Sequence, residues 1–320
     1  MRGRSVATLS CNYAILNNPR MASNEQLAAF ISSATGHPFR VEAVTPVGGG
    51  SRWRTLRIDN VDGGTPATVF AKVGAADLGK VFEAERDGLE LLRGANSALR
   101  LPRVLACGKA SQDSALILEW IDLAPLGAAS GAAFGTALAG LHRSTAERFG
   151  LERDNFIGAS VQVNCQEHDW ITFWQHHRLL YQLRLAQINR YPSRLIGRGE
   201  RLVADCGAFF QSYRPVASLL HGDTWGGNAA ADAAGTPVTF DPAVYYGDRE
   251  ADVAMTELFG GYPKDFYSAY RNAWPLDAGY ATRKQLYNLY HILNHANLFA
   301  GDYVHQAERM IDALLAEIGG

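Results

Sequence analysis

The sequence predicts an α+β protein of two lobes, a small antiparallel sheet followed by a larger, mainly helical lobe. Three observations predict it. The first 120 residues hold five strand-like stretches broken by glycine-rich turns, with one amphipathic helix pattern among them. A run rich in Ala, Gly and Pro follows at 121–130, which reads as a hinge. From Gly131 onward the apolar residues recur at helical spacing, interrupted chiefly around His221–Pro242. The expected organisation is therefore a leader or extension at 1–20, a first lobe at 21–120, the hinge, and a second lobe at 131–320.

A chain of 320 residues has ample apolar content for such a core. Its net charge of −2, with Arg and Lys spread along the chain, offers no field for nucleic acid or an anionic membrane. No apolar run approaches a membrane span. Cys11, Cys107, Cys165 and Cys206 lie far apart without a CxxC pair, which fits a reducing cytoplasm better than a disulfide framework or zinc knuckle. Residues 1–20 are basic and Ser/Thr-bearing but lack an apolar core with a cleavage site, so Met21 is taken as the domain start.

Ser23 followed by Gln26 is a capping box, opening a helix through about Ala34 that Gly36 and Pro38 close. Strands follow at Phe39–Pro46, Trp53–Val61 and Ala67–Val73. The first two are joined across Gly48, Gly49, Gly50 and Ser51, whose amides could approach phosphates closely; by itself this pattern reads as an ordinary turn. Lys72 stands inside the apolar third strand, where an ammonium is costly unless a partner meets it. The next helix, about Leu78–Arg93, offers one: Glu85 shares the face of Leu78, Val81, Phe82, Leu89 and Leu92. Such a pair aims a lysine at nucleotide phosphates in kinases, and a partly exposed surface pair is the other reading. Two more strands, Arg103–Cys107 and Ser114–Trp120, complete the sheet, and backbone groups of Glu119, Trp120 and Ile121 would meet an adenine edge in a kinase-like cleft. Helices are expected at about Ala132–Arg143, Trp170–Asn189, Gly199–Tyr213, Asp252–Phe259, Lys264–Ala273, Thr282–Ala300 and Tyr303–Ile318.

The chemistry concentrates in HGDTWGGN, His221–Asn228, and the hairpin behind it. Asp223 precedes Asn228 by the acid-to-amide spacing of the kinase catalytic loop. A turn at Asp232–Gly235 would return Asp241 beside Asn228. Two acids and an amide are what phosphoryl transfer needs: one carboxylate to orient a hydroxyl, the others to hold magnesium on the nucleotide. His221 is expected to brace the loop by hydrogen bonding. Trp225 could stack on a sugar ring or pack in the core, and both readings stay open. His176 and His177 are adjacent on a helix and diverge, so no zinc set forms. No G-x-S-x-G elbow suggests a serine hydrolase.

LLHGDTWGGN, FDPAVYYGDREADVAMTELFGGYP and YHILNHANLF, with FEAERDGLELL, LHRS and NFIG in order, resemble the fructosamine kinase (ketosamine-3-kinase) family over about 28–318. That family is related to aminoglycoside phosphotransferases and has a protein-kinase-like fold. The resemblance implies an ATP- and Mg2+-dependent kinase phosphorylating a sugar hydroxyl of ketosamines, free or on glycated protein. It implies Asp223 as catalytic acid-base, Asn228 and Asp241 as metal ligands, Lys72 and Glu85 as the phosphate-aiming pair, and Gly48–Ser51 as the nucleotide loop. It also implies that Asp252 braces the catalytic loop, although the residue could equally cap a helix. Departures from the family pattern are Thr224 and Gly226 in the loop, Arg52 and Trp53 after the triple glycine, and Asp248 where a histidine is usual. Asp248 could favour a cationic amine near the substrate mouth or be neutral. Ser51 replaces a redox-active cysteine carried by some relatives. Two other functions stay open: the same chemistry on an aminoglycoside or other amino sugar, and a silent nucleotide-binding protein.

Overall fold

A computed structural model describes residues 22–48, 52–95 and 98–319. The leader at 1–20 and the turn residues Gly49, Gly50 and Ser51 lie outside them. The chain divides into two compact units, one of residues up to Glu83 with Val104–Trp120, the other of Ala84–Arg103 with Ile121 onward.

In the first unit, α1 (Asn24–Thr35) starts at the foreseen capping box: Ser23 Oγ accepts the Gln26 amide and Gln26 Oε1 accepts the Ser23 amide. Gly36 ends it at φ 72. Five strands follow, β1 (Val41–Pro46), β2 (Arg54–Asn60), β3 (Thr68–Ala75), β4 (Val104–Ala110) and β5 (Asp113–Glu119), in the antiparallel order β1-β2-β3-β5-β4. Alternation sorts the sheet into two faces. Val69, Ala71 and Val73 join Leu27 and Ile31 of α1 in a common core with Leu56, Ile58, Ala115 and Ile117. Lys72, between Ala71 and Val73, therefore belongs to the other face.

α2 (Gly79–Gly94) begins among the residues of the first unit and continues into the second. Its second half abuts the segment after Asp241: a Cβ at Gly88 would lie 3.2 Å from Pro242 and 3.4 Å from Val244. The second unit continues with α3 (Ala128–Leu141), α4 (Trp170–Trp174), α5 (Leu180–Ile188), α6 (Ser193–Asp205), α7 (Arg249–Thr256), α8 (Lys264–Ala273), α9 (Tyr280–Phe299) and α10 (Asp302–Glu317). α3 starts inside the expected hinge, because Ser130 Oγ accepts the Gly127 amide and opens the helix there. Gly135 of α3 lets α8 close in, since a Cβ would meet the Phe266 carbonyl at 2.3 Å.

The expected helix at 170–189 is instead α4 and α5 joined by a π-helical stretch, Gln175–Leu179. That stretch carries the fully buried Arg178, whose guanidinium donates to the Val163 carbonyl and to Asn164 Oδ1 and lies 4.0 Å from the Tyr245 ring centroid. The expected helix at 199–213 starts earlier, at Ser193, and gives way to a 3-10 turn at Cys206–Phe210. Short ladders absent from the sequence reading pair β6 (Asn155–Ile157) with β7 (Ser160–Gln162), and β8 (Ser218–Leu220) with a strand at Tyr245–Gly247. Between them in sequence, β9 (Ala229–Ala231) and β10 (Pro237–Thr239) form the foreseen hairpin, and the strand at Tyr245–Gly247 is β11.

Candidate active site

β8 delivers His221–Asn228 at its end, and β11 runs antiparallel beside it into α7. This adjacency brings Asp252, in the first turn of α7, under the loop. Asp252 Oδ2 accepts the His221 amide at 2.8 Å and Oδ1 the Gly222 amide at 2.9 Å. Its carboxylate also meets His142 Nε2 at 3.1 Å, while Thr224 Oγ1 donates to its backbone carbonyl at 2.6 Å. Burial alone would raise this carboxyl, but the His142 hydrogen bond, both histidines and the Gly222 amide hold it below the usual carboxylate range. The helix cap is a different acid: Asp248 accepts the Glu250 amide at 3.0 Å. Of the two readings left open for Asp252, the geometry is that of a brace.

Gly222 admits no other residue. Its φ is +83, and a Cβ there would lie 2.0 Å from the Ala243 carbonyl oxygen. His221 is fully buried and links both sides of the loop. Its Nδ1 accepts the Asp223 amide at 3.3 Å, and its Nε2 faces the Phe240 carbonyl at 3.1 Å and Thr239 Oγ1 at 2.9 Å. The neutral tautomer with the proton on Nε2 satisfies these contacts, and burial keeps the imidazole below its usual range. Thr239 Oγ1 donates in turn to the Asn228 carbonyl at 2.8 Å.

The hairpin register pairs Ala229 with Thr239, and Phe240 donates to the Asn228 carbonyl, so the chain reaches Asp241 two residues beyond that pair. Asp232 closes the turn by accepting the amides of Ala234 and Thr236. Asn228 Nδ2 donates to the Asp223 carbonyl at 2.9 Å and to Asp223 Oδ2 at 3.0 Å. With the amide nitrogen committed to Asp223, the amide oxygen is the Asn228 group suited to a cation. Asp241 sits at φ 56, in the left-handed region that residues other than glycine seldom adopt. Among the described residues no group of three or more His, Cys, Asp or Glu side chains could hold a metal alone. An amide oxygen and a carboxylate do fit magnesium, which binds one or two protein oxygens and completes its shell from phosphates and water.

Trp225 is 39% exposed, so it is not a core tryptophan. Its ring folds back over Gly227, where a Cβ would come within 2.2 Å of it, and it meets Phe259 edge-on at 6.3 Å. Asp248 is placed otherwise than expected. It is fully buried, accepting Tyr287 OH at 2.5 Å and Tyr213 OH at 2.9 Å, and so does not face a substrate amine. Burial raises its carboxyl, and pushes neighbouring Glu250 up to about 7 against the pull of the Arg283 fork at 2.7 and 3.1 Å.

In the first unit Lys72 is 2% exposed, and its ammonium lies 5.7 Å from the Trp53 ring centroid. Trp53 is held edge-on by Phe82 at 6.0 Å. Gly48 has φ +94 with open space beyond it. Trp120, at the end of β5, carries the Arg57 guanidinium 4.9 Å from its ring centroid, and Glu119, Trp120 and Ile121 are half-buried. In the second unit Glu85 is 8% exposed. Sequence reasoning had given no part to His142 or Thr239, and had noted Trp53 as a departure from the family pattern. Of the first two only His142, in the LHRS string, carried a signal.

The fructosamine kinase family pattern matches residues 23–317. The chain belongs to the fructosamine kinase family. The probable ketoamine kinase of Synechocystis sp. is 40% identical over 305 residues, covering 94% of this chain and 99% of the relative. The chloroplastic protein-ribulosamine 3-kinase of Arabidopsis thaliana is 38% identical over 251 residues, 77% of this chain and 76% of the relative. A crystal structure assigned as fructosamine-3-kinase from Haemophilus somnus superimposes with a TM-score of 0.81 at 27% identity, over 91% of this chain and 97% of that one. A macrolide 2'-phosphotransferase from Brachybacterium faecium, at a TM-score of 0.54 and 15% identity, shares the fold alone. The fold class read from the sequence, α+β and kinase-like, is borne out. Among the described residues no helix is long and apolar enough to cross a membrane.

Proposed function

We propose that the protein is an ATP-dependent kinase that phosphorylates a sugar hydroxyl of ketosamines, as a step of deglycation. The observation that carries this reading is the seating of Asp223: its amide is held by His221, its carboxylate by Asn228, and the whole loop by Asp252. A carboxylate fixed in this way accepts a hydrogen bond from the acceptor hydroxyl and takes its proton late in transfer, which demands position more than a shifted pKa. Asn228 and Asp241 are the proposed magnesium ligands. When bound, the metal neutralises charge on the nucleotide phosphates.

Lys72, buried against Trp53, is the proposed phosphate-contacting cation, with Glu85 as its partner and Gly48–Ser51 as the phosphate turn. The backbone at Glu119–Ile121 is proposed to meet the adenine. Trp225, exposed beside Asp223, is proposed to stack on the sugar ring. A cytoplasmic location and a small-molecule or protein-borne ketosamine as partner belong to the same reading.

The test is turnover of MgATP with a fructosylamine, a ribulosylamine and glycated protein, with an aminoglycoside as the contrasting acceptor. Asp223→Asn should lose about a hundredfold or more of the rate on the preferred ketosamine while still binding nucleotide. Near-wild-type turnover in that variant would sink the assignment of Asp223. Turnover of the aminoglycoside alone would move the acceptor class.

A further inference from the structure

Five rings run in an unbroken row away from the catalytic loop. Trp225 meets Phe259 at 6.3 Å, Phe259 meets His295 at 5.0 Å, and His295 meets Phe299 at 5.6 Å and Tyr303 at 5.2 Å. They come from four places in the chain: the loop, the segment after α7, the last turns of α9 and the first turn of α10. The middle of the row is half-buried, while its ends stay open, Trp225 at 39% and Phe299 at 58% exposed. A single exposed phenylalanine needs no explanation, but one that terminates a row of rings beginning two residues from Asp223 does.

The row is uncharged. His295 Nδ1 lies 2.8 Å from the His291 carbonyl, and burial keeps the imidazole below its usual range, so it stands among the rings as a neutral aromatic. Of the charged side chains on the flanking elements, Lys284 Nζ lies 2.7 Å from Glu257 Oε2, and Asp302 stands exposed at the start of α10. A ketosamine carries its reacting hydroxyl on the sugar and its amine substituent at the other end. A sugar held at Asp223 and Trp225 must therefore project that substituent over whatever surface adjoins the tryptophan.

We propose that this row seats the amine-bearing half of the acceptor, and that Phe299 and Tyr303 select apolar or aromatic substituents on that amine. The inference rests on the ketosamine reading above and deepens it. Ring faces offer stacking and hydrophobic contact and no counter-charge, so an aromatic substituent gains there and a bare methyl does not. Phe299 and Tyr303 act on binding rather than on the transfer step, so their effect should fall on KM.

The experiment compares kcat/KM for N-phenylhexyl and N-methyl fructosylamine, the hexyl arm being long enough to carry the phenyl ring along the row, in the wild type, Phe299→Ala, Tyr303→Ala and Val216→Ala. Val216 is an exposed apolar residue that belongs to no part of the site. The wild type should favour the phenylhexyl compound by about tenfold, through KM. Phe299→Ala and Tyr303→Ala should each bring that ratio down severalfold, and Val216→Ala should keep it. A wild-type ratio near one, or a ratio unchanged in both ring variants, overturns the inference while leaving the kinase assignment standing. Absence of turnover on both fructosylamines by folded wild-type protein defeats the ketosamine reading itself, and the inference falls with it.

Discussion

At the start of α7, Asp252 accepts the amides of His221 and Gly222, while four residues earlier Asp248 accepts two tyrosine hydroxyls and the Glu250 amide. Both carboxylates are buried, yet Asp252 is held below the usual carboxylate range and Asp248 is raised above it. The difference lies in the donors and in the company. Asp252 faces two backbone amides and His142, whereas Asp248 shares its surroundings with the Glu250 carboxylate and relies on hydroxyls that can turn away. A buried acid held ionised can fix a backbone; one pushed toward neutrality serves as packing with hydrogen bonds. The region under the His221–Asn228 loop is of the first kind, and the Tyr213–Asp248–Tyr287 region of the second.

Substitution separates the two regions. Asp252→Asn puts an amide where only acceptors are tolerated, opposing a loop N–H. It should cost about 2–4 kcal/mol of stability and lower turnover by about a hundredfold, read by urea unfolding and by MgATP consumption. Asp248→Asn, which resembles the protonated acid, should cost only about 1–2 kcal/mol and leave turnover within about twofold. Equal losses of activity in the two variants would erase the distinction. Gly227→Ala sharpens it from the substrate side. Its Cβ must displace the Trp225 ring, so KM for the sugar should rise by about tenfold, with the melting temperature nearly unchanged.

The smallest expected effect concerns pH. His291 is buried on α9 without a partner for Nδ1, and burial pushes its imidazole down to about 3. Between about pH 6.5 and about pH 3 the unfolded chain binds a proton that the folded one refuses, so this share of stability is lost as pH falls. The loss amounts to at most about 1.4 kcal/mol per pH unit. His291→Asn should remove it, and the comparison is between urea midpoints of both proteins at about pH 7 and about pH 5, where the difference cancels the other titrating groups. Parallel pH slopes for the two proteins would show that His291 does not titrate in this way.

Much of the frame was legible from residue patterns because its causes are local. Ser23 and Gln26 lie within one turn of each other, and the Asp232 carboxylate closes its own turn, so cap and hairpin follow from neighbours in the chain. The acid-to-amide spacing from Asp223 to Asn228 likewise became a hydrogen bond. Strand alternation put Lys72 on a defined face of β3, but the Trp53 ring beside it could not be read, since it stands just before β2 and meets Lys72 only through the antiparallel register of β2 with β3.

By itself the sequence determined the five strands of the first sheet, most of the helices, where the hairpin turns, and to which family the chain belongs, while the short ladders β6–β7 and β8–β11 escaped it. Only the tertiary structure decided which acid caps α7 and which braces the loop, that Asp248 is buried away from solvent, and that Trp225 stands exposed. The physical reason is distance along the chain. The histidine that meets Asp252 is 110 residues away and the tyrosines that meet Asp248 are 35 and 39 residues away, so their donors exist only once the chain has packed.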